Sequence, residues 1–80
     1  MDETTARAWI GWRVEHGRLP RTDPVHLFAS YGRGEYCAGC GCAIDRNELE
    51  YELEWAQPAR TVSMHPQCYK IWHAQRPAEV

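Results

Sequence analysis

Apolar residues recur along this chain with two different periods, and the change of period divides it. Near the start, Ala6, Trp9, Ile10 and Val14 follow one another at three- and four-residue intervals, the spacing that lines one face of a helix. A helix over Thr4–His16 is predicted, with Trp12 widening its apolar stripe. Asp2, Thr4 and Thr5 are candidate caps, because a short side-chain oxygen can accept the N–H groups that a helix start leaves free. Gly17 suits the position past the last turn, and Pro20 prevents continuation. Arg13 falls inside the stripe. Its stem is expected to pack while its head reaches water; the alternative is a pairing with a carboxylate of the second half.

From Glu48 onward the period drops to two. Leu49, Tyr51, Leu53 and Trp55 fall on one face, and Glu48, Glu50, Glu52 and Glu54 on the other, which predicts a half-buried strand. Ala56–Arg60, with Pro58, is the connection to a second strand over Thr61–Met64 that turns Val62 and Met64 inward. Pro66 then opens a short helix at a position that needs no N–H. Cys68, Ile71 and Trp72 form its inner stripe, and Pro77 is its expected stop. Residues 18–36 hold Pro20, Pro24, Gly32 and Gly34 and read as an ordered loop. Val25, Leu27, Phe28 and Tyr31 are expected to lie across the core and tie the first helix to the second half. The expected organisation is one α+β domain over residues 1–80: an N-terminal helix (1–17), an ordered loop (18–36) and a small module (37–76).

Eighty residues bury little apolar surface, and domains of this size often depend on a metal, a disulfide or a partner. Four Trp and four Tyr supply large buried areas from few positions. A formal net charge of −2 argues against a general nucleic-acid binder. Eight of the nine cations are Arg and Lys70 is the one lysine, so a local anion site stays open, although arginines on a solvated surface contribute little. Met1-Asp2-Glu3 does not open a secretory leader, and no run has the length of a membrane span. A cytoplasmic location is therefore expected. Thiols stay reduced there, and four cysteines read as metal ligands before disulfides.

The ligand pattern supports this. Cys37 and Cys40, two residues apart and followed by Gly41, can bend round one ion as a tight knuckle. Gly39 and Gly41 let backbone N–H groups turn toward the sulfurs. His65 and Cys68, three apart at a helix start, share a face, and the helix N-terminus favours the Cys68 thiolate. One zinc ion per chain, held by Cys37, Cys40, His65 and Cys68, is predicted. Cys42 is the alternative ligand, in place of Cys40 or His65. His16, His26 and His73 lack a partner at metal spacing.

Knuckle, hairpin and helix in this order resemble a treble-clef zinc finger, the architecture of LIM-type and GATA-type modules, over residues 37–76. The whole chain also resembles a group of short, uncharacterised bacterial proteins. The shared features are a helix ending in Gly17-Arg18-Leu19-Pro20, a Cys-x-x-Cys, and a His-x-x-Cys followed by an aromatic residue and Trp72. The resemblance implies a small zinc-stabilised fold and brings no activity with it.

Other chemistries fit less well. A thioredoxin-like pair needs a βαβ unit, the cysteine spacing matches no common iron–sulfur run, and a zinc deaminase needs a His-x-Glu that is absent. Four protein ligands close a zinc site to substrate, so no enzymatic activity is expected. The leading expectation is an adaptor or regulator that binds another protein through its aromatic side chains or Glu ridge. A nucleic-acid-binding finger is the alternative, resting on Arg7, Arg13, Arg18, Arg21 and Arg33. A treble-clef nuclease is the third reading, and it would need a second, catalytic His and metal site, which His26 or His73 would have to supply.

Overall fold

Asp2 begins the first helix: its carboxylate accepts the Thr5 N–H at 2.8 Å, which holds its carboxyl below the usual range. The computed structural model describes residues 2–76. Helix α1 spans Glu3–Glu15 and buries Ala6, Ile10 and Val14. The predicted stripe was wider. Trp9 and Trp12 lie on the flank of α1 and remain about half exposed. Arg13 reaches neither water alone nor a carboxylate. It passes over the Trp9 ring at 5.6 Å and donates to the Ala38 carbonyl at 2.8 Å, which ties α1 to the start of the second half.

Residues 18–36 depart most from expectation, because the expected loop contains a strand. Strand β1 (His26–Tyr31) pairs antiparallel with β2 (Leu49–Ala56), from Tyr31 opposite Leu49 to His26 opposite Glu54. Strand β2 in turn pairs antiparallel with β3 (Ala59–Met64), and the sheet order is β1-β2-β3. His26–Tyr31 lacks the alternation that marks a strand, since its neighbour β2 and not its own pattern supplies the reason to extend. The expected burial of Val25, Leu27, Phe28 and Tyr31 is also corrected: all four are exposed. The segment before them does the tying. Leu19 is buried, and two indoles fasten the chain beside it. Trp72 Nε1 donates to the Pro20 carbonyl at 2.8 Å and Trp55 Nε1 to the Thr22 carbonyl at 3.1 Å.

The alternation in β2 fixes which side each residue takes, but burial follows only in part. Leu53 and Trp55 are buried and Tyr51 is half-buried. Leu49 is half exposed, because it stands next to β1 where neither helix covers the sheet. Glu50, predicted for a wet ridge, is fully buried. Its carboxylate accepts from Arg33 at 2.8 Å and Ser63 at 3.3 Å. Arg33 also reaches Glu52 at 2.6 Å, and the two carboxylates raise its already high pKa further. The segment after β1 therefore covers one end of the acidic face and answers its charge, as a buried carboxylate requires.

Helix α2 spans Pro66–Gln75 with Pro66 in its first turn and Cys68, Ile71 and Trp72 buried, as the pattern predicts. Pro77, the expected stop, lies outside the described residues. The helix packs on α1 and on β2. One cluster of buried side chains joins Ile10 and Val14 of α1, Leu53 and Trp55 of β2, Val62 and Met64 of β3, and Ile71 and Trp72 of α2 to Cys37 and Ile44. Ile10 is fully buried at the centre of this contact. Replacing Ile10 by Ala should cost about 2–5 kcal/mol, read as a loss of unfolding free energy in a denaturant titration of the metal-loaded protein.

Candidate metal centre

The knuckle is a small hairpin closed by its own backbone. Tyr36 bridges to Ala43, the Cys37 N–H donates to the Cys42 carbonyl at 2.8 Å and the Gly41 N–H to the Cys37 carbonyl at 2.9 Å. Gly41 has φ of 80°, a conformation that an L side chain rarely adopts. Gly39 is required for a different reason. A Cβ there would lie 3.0 Å from the Cys68 Cβ and 3.2 Å from the Ile10 Cδ1, so the absent side chain lets α1 and α2 close on the knuckle.

The second ligand pair comes from the end of β3 and the start of α2. His65 is the N-cap residue of α2 in extended conformation, and Cys68 lies in the first turn. The Ala38 N–H donates to the Ser63 carbonyl at 2.8 Å, which zips the knuckle to the end of β3 and sets the two pairs face to face.

Cys37, Cys40, His65 and Cys68 come together as a group. One donor atom from each lies within 4.8 Å of all the others, and Cys40 Sγ is 3.5 Å from His65 Nδ1. A tetrahedral ion with metal–sulfur bonds of about 2.3 Å sets its donors about 3.5–3.8 Å apart, so the four can hold one metal ion. The other ring nitrogen, His65 Nε2, is 3.7 Å from a Glu48 carboxylate oxygen. A carboxylate placed behind a ligating imidazole helps to fix the ring's orientation. Sequence reasoning placed Glu48 on a solvated ridge and missed this role, which no spacing signals.

Electrostatics rank the three sulfurs. The Cys37 thiol is pulled down to about 4, chiefly by a hydrogen bond from Cys68, against the cost of its burial and with help from backbone N–H groups of Cys40, His65 and Gly39. The Gly39 and His65 donors lie 3.4 Å from the sulfur. Cys40 is pushed up, first by burial and then by the charge on Cys37. Cys68 is pushed well above the ordinary thiol range by its bond to Cys37, by burial and by the neighbouring sulfurs. One thiolate is thus comfortable without a cation, and three together call for one.

Cys42 is exposed and lies outside the group. Its backbone serves the site instead: its carbonyl closes the hairpin and its N–H faces the Cys40 sulfur. The other histidines are also elsewhere. His16 bonds to the Trp12 carbonyl at 2.8 Å, His26 lies 3.3 Å from Glu54, and His73 stands against Tyr69. A cleft of about 440 Å³, lined in part by Cys40, Cys42, Glu48, His65 and Cys68, opens the centre to solvent on one side and gives an ion its way in. Compared with models of protein families, with curated proteins and with solved structures, the chain finds no match.

Substituting Ser for Cys37, Cys40 or Cys68 should abolish stoichiometric metal binding, whereas Cys42→Ser should retain it. Glu48→Gln should weaken the metal about 10-fold or more. Competition with a chromogenic chelator measures each, and equal affinity for Glu48→Gln and the parent protein would rule out the role assigned to that carboxylate.

Proposed function

We propose that the centre holds one Zn²⁺ per chain as a structural ion, and that the chain is a non-enzymatic, treble-clef-type module acting as an adaptor or regulator of another protein. The convergence of three sulfurs and an imidazole within 4.8 Å of one another carries the metal half of this reading. Soft thiolates with one imidazole suit zinc, and oxygen-loving cations would choose other donors. Knuckle, hairpin and helix follow one another in treble-clef order. Four protein ligands leave a zinc ion no open position for substrate.

Helix α1 supports the partner half. Trp9 and Trp12, about half exposed, form with Thr5 and Ala8 a shallow apolar depression on the outer face of the helix. Exposed tryptophans are favoured anchors in protein interfaces. Trp9→Ser combined with Trp12→Ser should abolish capture of the partner from a lysate of the source cell while leaving metal content unchanged. Capture of the same protein by the double variant would refute this face.

The nucleic-acid reading has one observation in its favour. Trp12, Arg13, Arg18, Ala38 and Arg60 line a second depression, and no carboxylate is among them. An aromatic ring beside guanidinium groups can stack a base and hold its phosphate. A gel shift at low salt, where phosphate contacts are strongest, separates the two readings. The nuclease reading would use His26 or His73, which stand beside Glu54 and Tyr69 and outside the four-ligand group.

A structural role for zinc also sets the outcome of its removal. Elemental analysis should give one zinc per chain, and a strong chelator should abolish the near-UV signal of the tryptophans and open the chain between Cys40 and His65 to protease. Zinc-binding free energy of roughly 10–16 kcal/mol is large beside the stability of so small a domain. A metal-free protein that keeps its near-UV spectrum and melting temperature would overturn the structural role.

A further inference from the structure

The sheet has two edges, and they are treated differently. At β3 the knuckle pairs with one end of the edge through the bond from Ala38 to Ser63. At β1 no segment does so among the described residues, and all six residues of His26–Tyr31 are exposed. Natural edge strands are usually guarded by Lys, Pro, a bulge or a covering loop. Strand β1 carries no Lys, Arg, Asp, Glu or Pro.

The hydrogen-bond phase of the free edge follows from the register. The Gly32 N–H donates to the Glu48 carbonyl at 2.8 Å, and bonding positions alternate along an antiparallel ladder. Phe28 and Ser30 therefore share the phase of Gly32 and direct their backbone groups toward β2. The N–H and C=O groups of Leu27, Ala29 and Tyr31 point outward, unpaired by β2. Those three residues also share one face of the sheet, the face on which Leu53 is buried under the helices.

We propose that β1 is a self-association surface, on which a second copy of this chain adds its own β1 antiparallel to make one six-stranded sheet. The register that uses all three outward-facing residues is centred on Ala29. It sets the smallest side chain of the three against itself on the two-fold axis. Leu27 then faces Tyr31 of the second copy, and Tyr31 faces its Leu27, an aliphatic–aromatic pair of the kind that stabilises sheets. Phe28 and Ser30 meet on the opposite face. The pattern is self-complementary, as an isologous contact requires, and no like charges on the two strands oppose each other.

The area is adequate for a reversible pair. Val25, Leu27, Phe28 and Tyr31, on or beside the pairing strand, are 41–69% exposed. With about 150–250 Å² for each aromatic side chain and less for Val and Leu, this is on the order of 400 Å² of apolar surface. A specific dimer at the small end of the range buries about 600 Å² per partner, and the strand backbone supplies the remainder. The chain's whole surface is 5339 Å², so the contact covers a small share of it, and dissociation in the micromolar range is expected. The face lies apart from the four metal ligands, and the inference stands whatever ion they hold.

Sedimentation velocity on the full chain, purified with zinc, tests this from about 10 µM to about 1 mM. Mass should double across the series, and amide exchange followed by NMR should slow at least 10-fold at Leu27, Ala29 and Tyr31 on concentration. Ala29→Arg, which sets like charges against each other on the axis, should stay monomeric at 1 mM with unchanged zinc content. Tyr31→Glu provides the same test should Ala29→Arg fail to fold. A protein that remains monomeric at 1 mM would overturn the proposal. So would a dimer whose Leu27, Ala29 and Tyr31 amides stay unprotected, or one that survives the charged substitution.

Discussion

Three thiols and an imidazole crowded within 4.8 Å of one another are the constraint around which this chain is arranged. Backbone groups from the knuckle and from the end of β3 are turned toward the Cys37 sulfur, and they answer one negative charge. They do not answer three. Burial pushes Cys40, and the bond to Cys37 followed by burial pushes Cys68, toward the protonated form, and a cation bound among the sulfurs would reverse that preference by offsetting their charge. Three of the five elements take their positions from this cluster. Helix α2 starts on it, β3 ends at it, and α1 reaches it through Ile10, whose approach depends on the missing side chain of Gly39.

The rest of the core extends from the same point. Trp72 lies one turn beyond Cys68 and packs edge-to-face on Trp55 at 5.9 Å. Both indoles spend their N–H on carbonyls of the segment following α1, so the apolar core and the strap over it share two side chains. Arg76 closes the far end, stacked over Trp72 at 4.6 Å and paired with Asp23 at 2.6 Å. Large amphipathic side chains suit so small a protein, because each buries wide apolar area and still satisfies a backbone group.

The uncovered surfaces then follow from geometry. Helix α2, backed by α1, packs on β2, and the β1 side of the sheet leaves Leu27, Tyr31 and Leu49 open. The flank of α1 turned away from α2 leaves Trp9 and Trp12 open. These two faces and the metal centre are separate features of one scaffold, and each is available for a different contact.

The sequence by itself determined the helices, the β2–β3 hairpin and the four residues that gather at the metal centre. Each of these rests on a local period or spacing: three to four residues for Ala6, Ile10 and Val14, two for Tyr51, Leu53 and Trp55, and the paired ligand spacings at Cys37–Cys40 and His65–Cys68. Such signals survive without knowledge of the fold because their cause is the geometry of one element. The tertiary structure alone decided which faces are covered. Leu49 obeys its period and is exposed, Glu50 obeys it and is buried, and His26–Tyr31 has no period of its own and is a strand. What these and the neighbouring positions do is set by another segment: Arg33 covers Glu50, β2 gives β1 its partner, and Glu48 reaches the back of His65. Those meetings join residues seventeen to twenty-eight positions apart along the chain, and no local pattern encodes them.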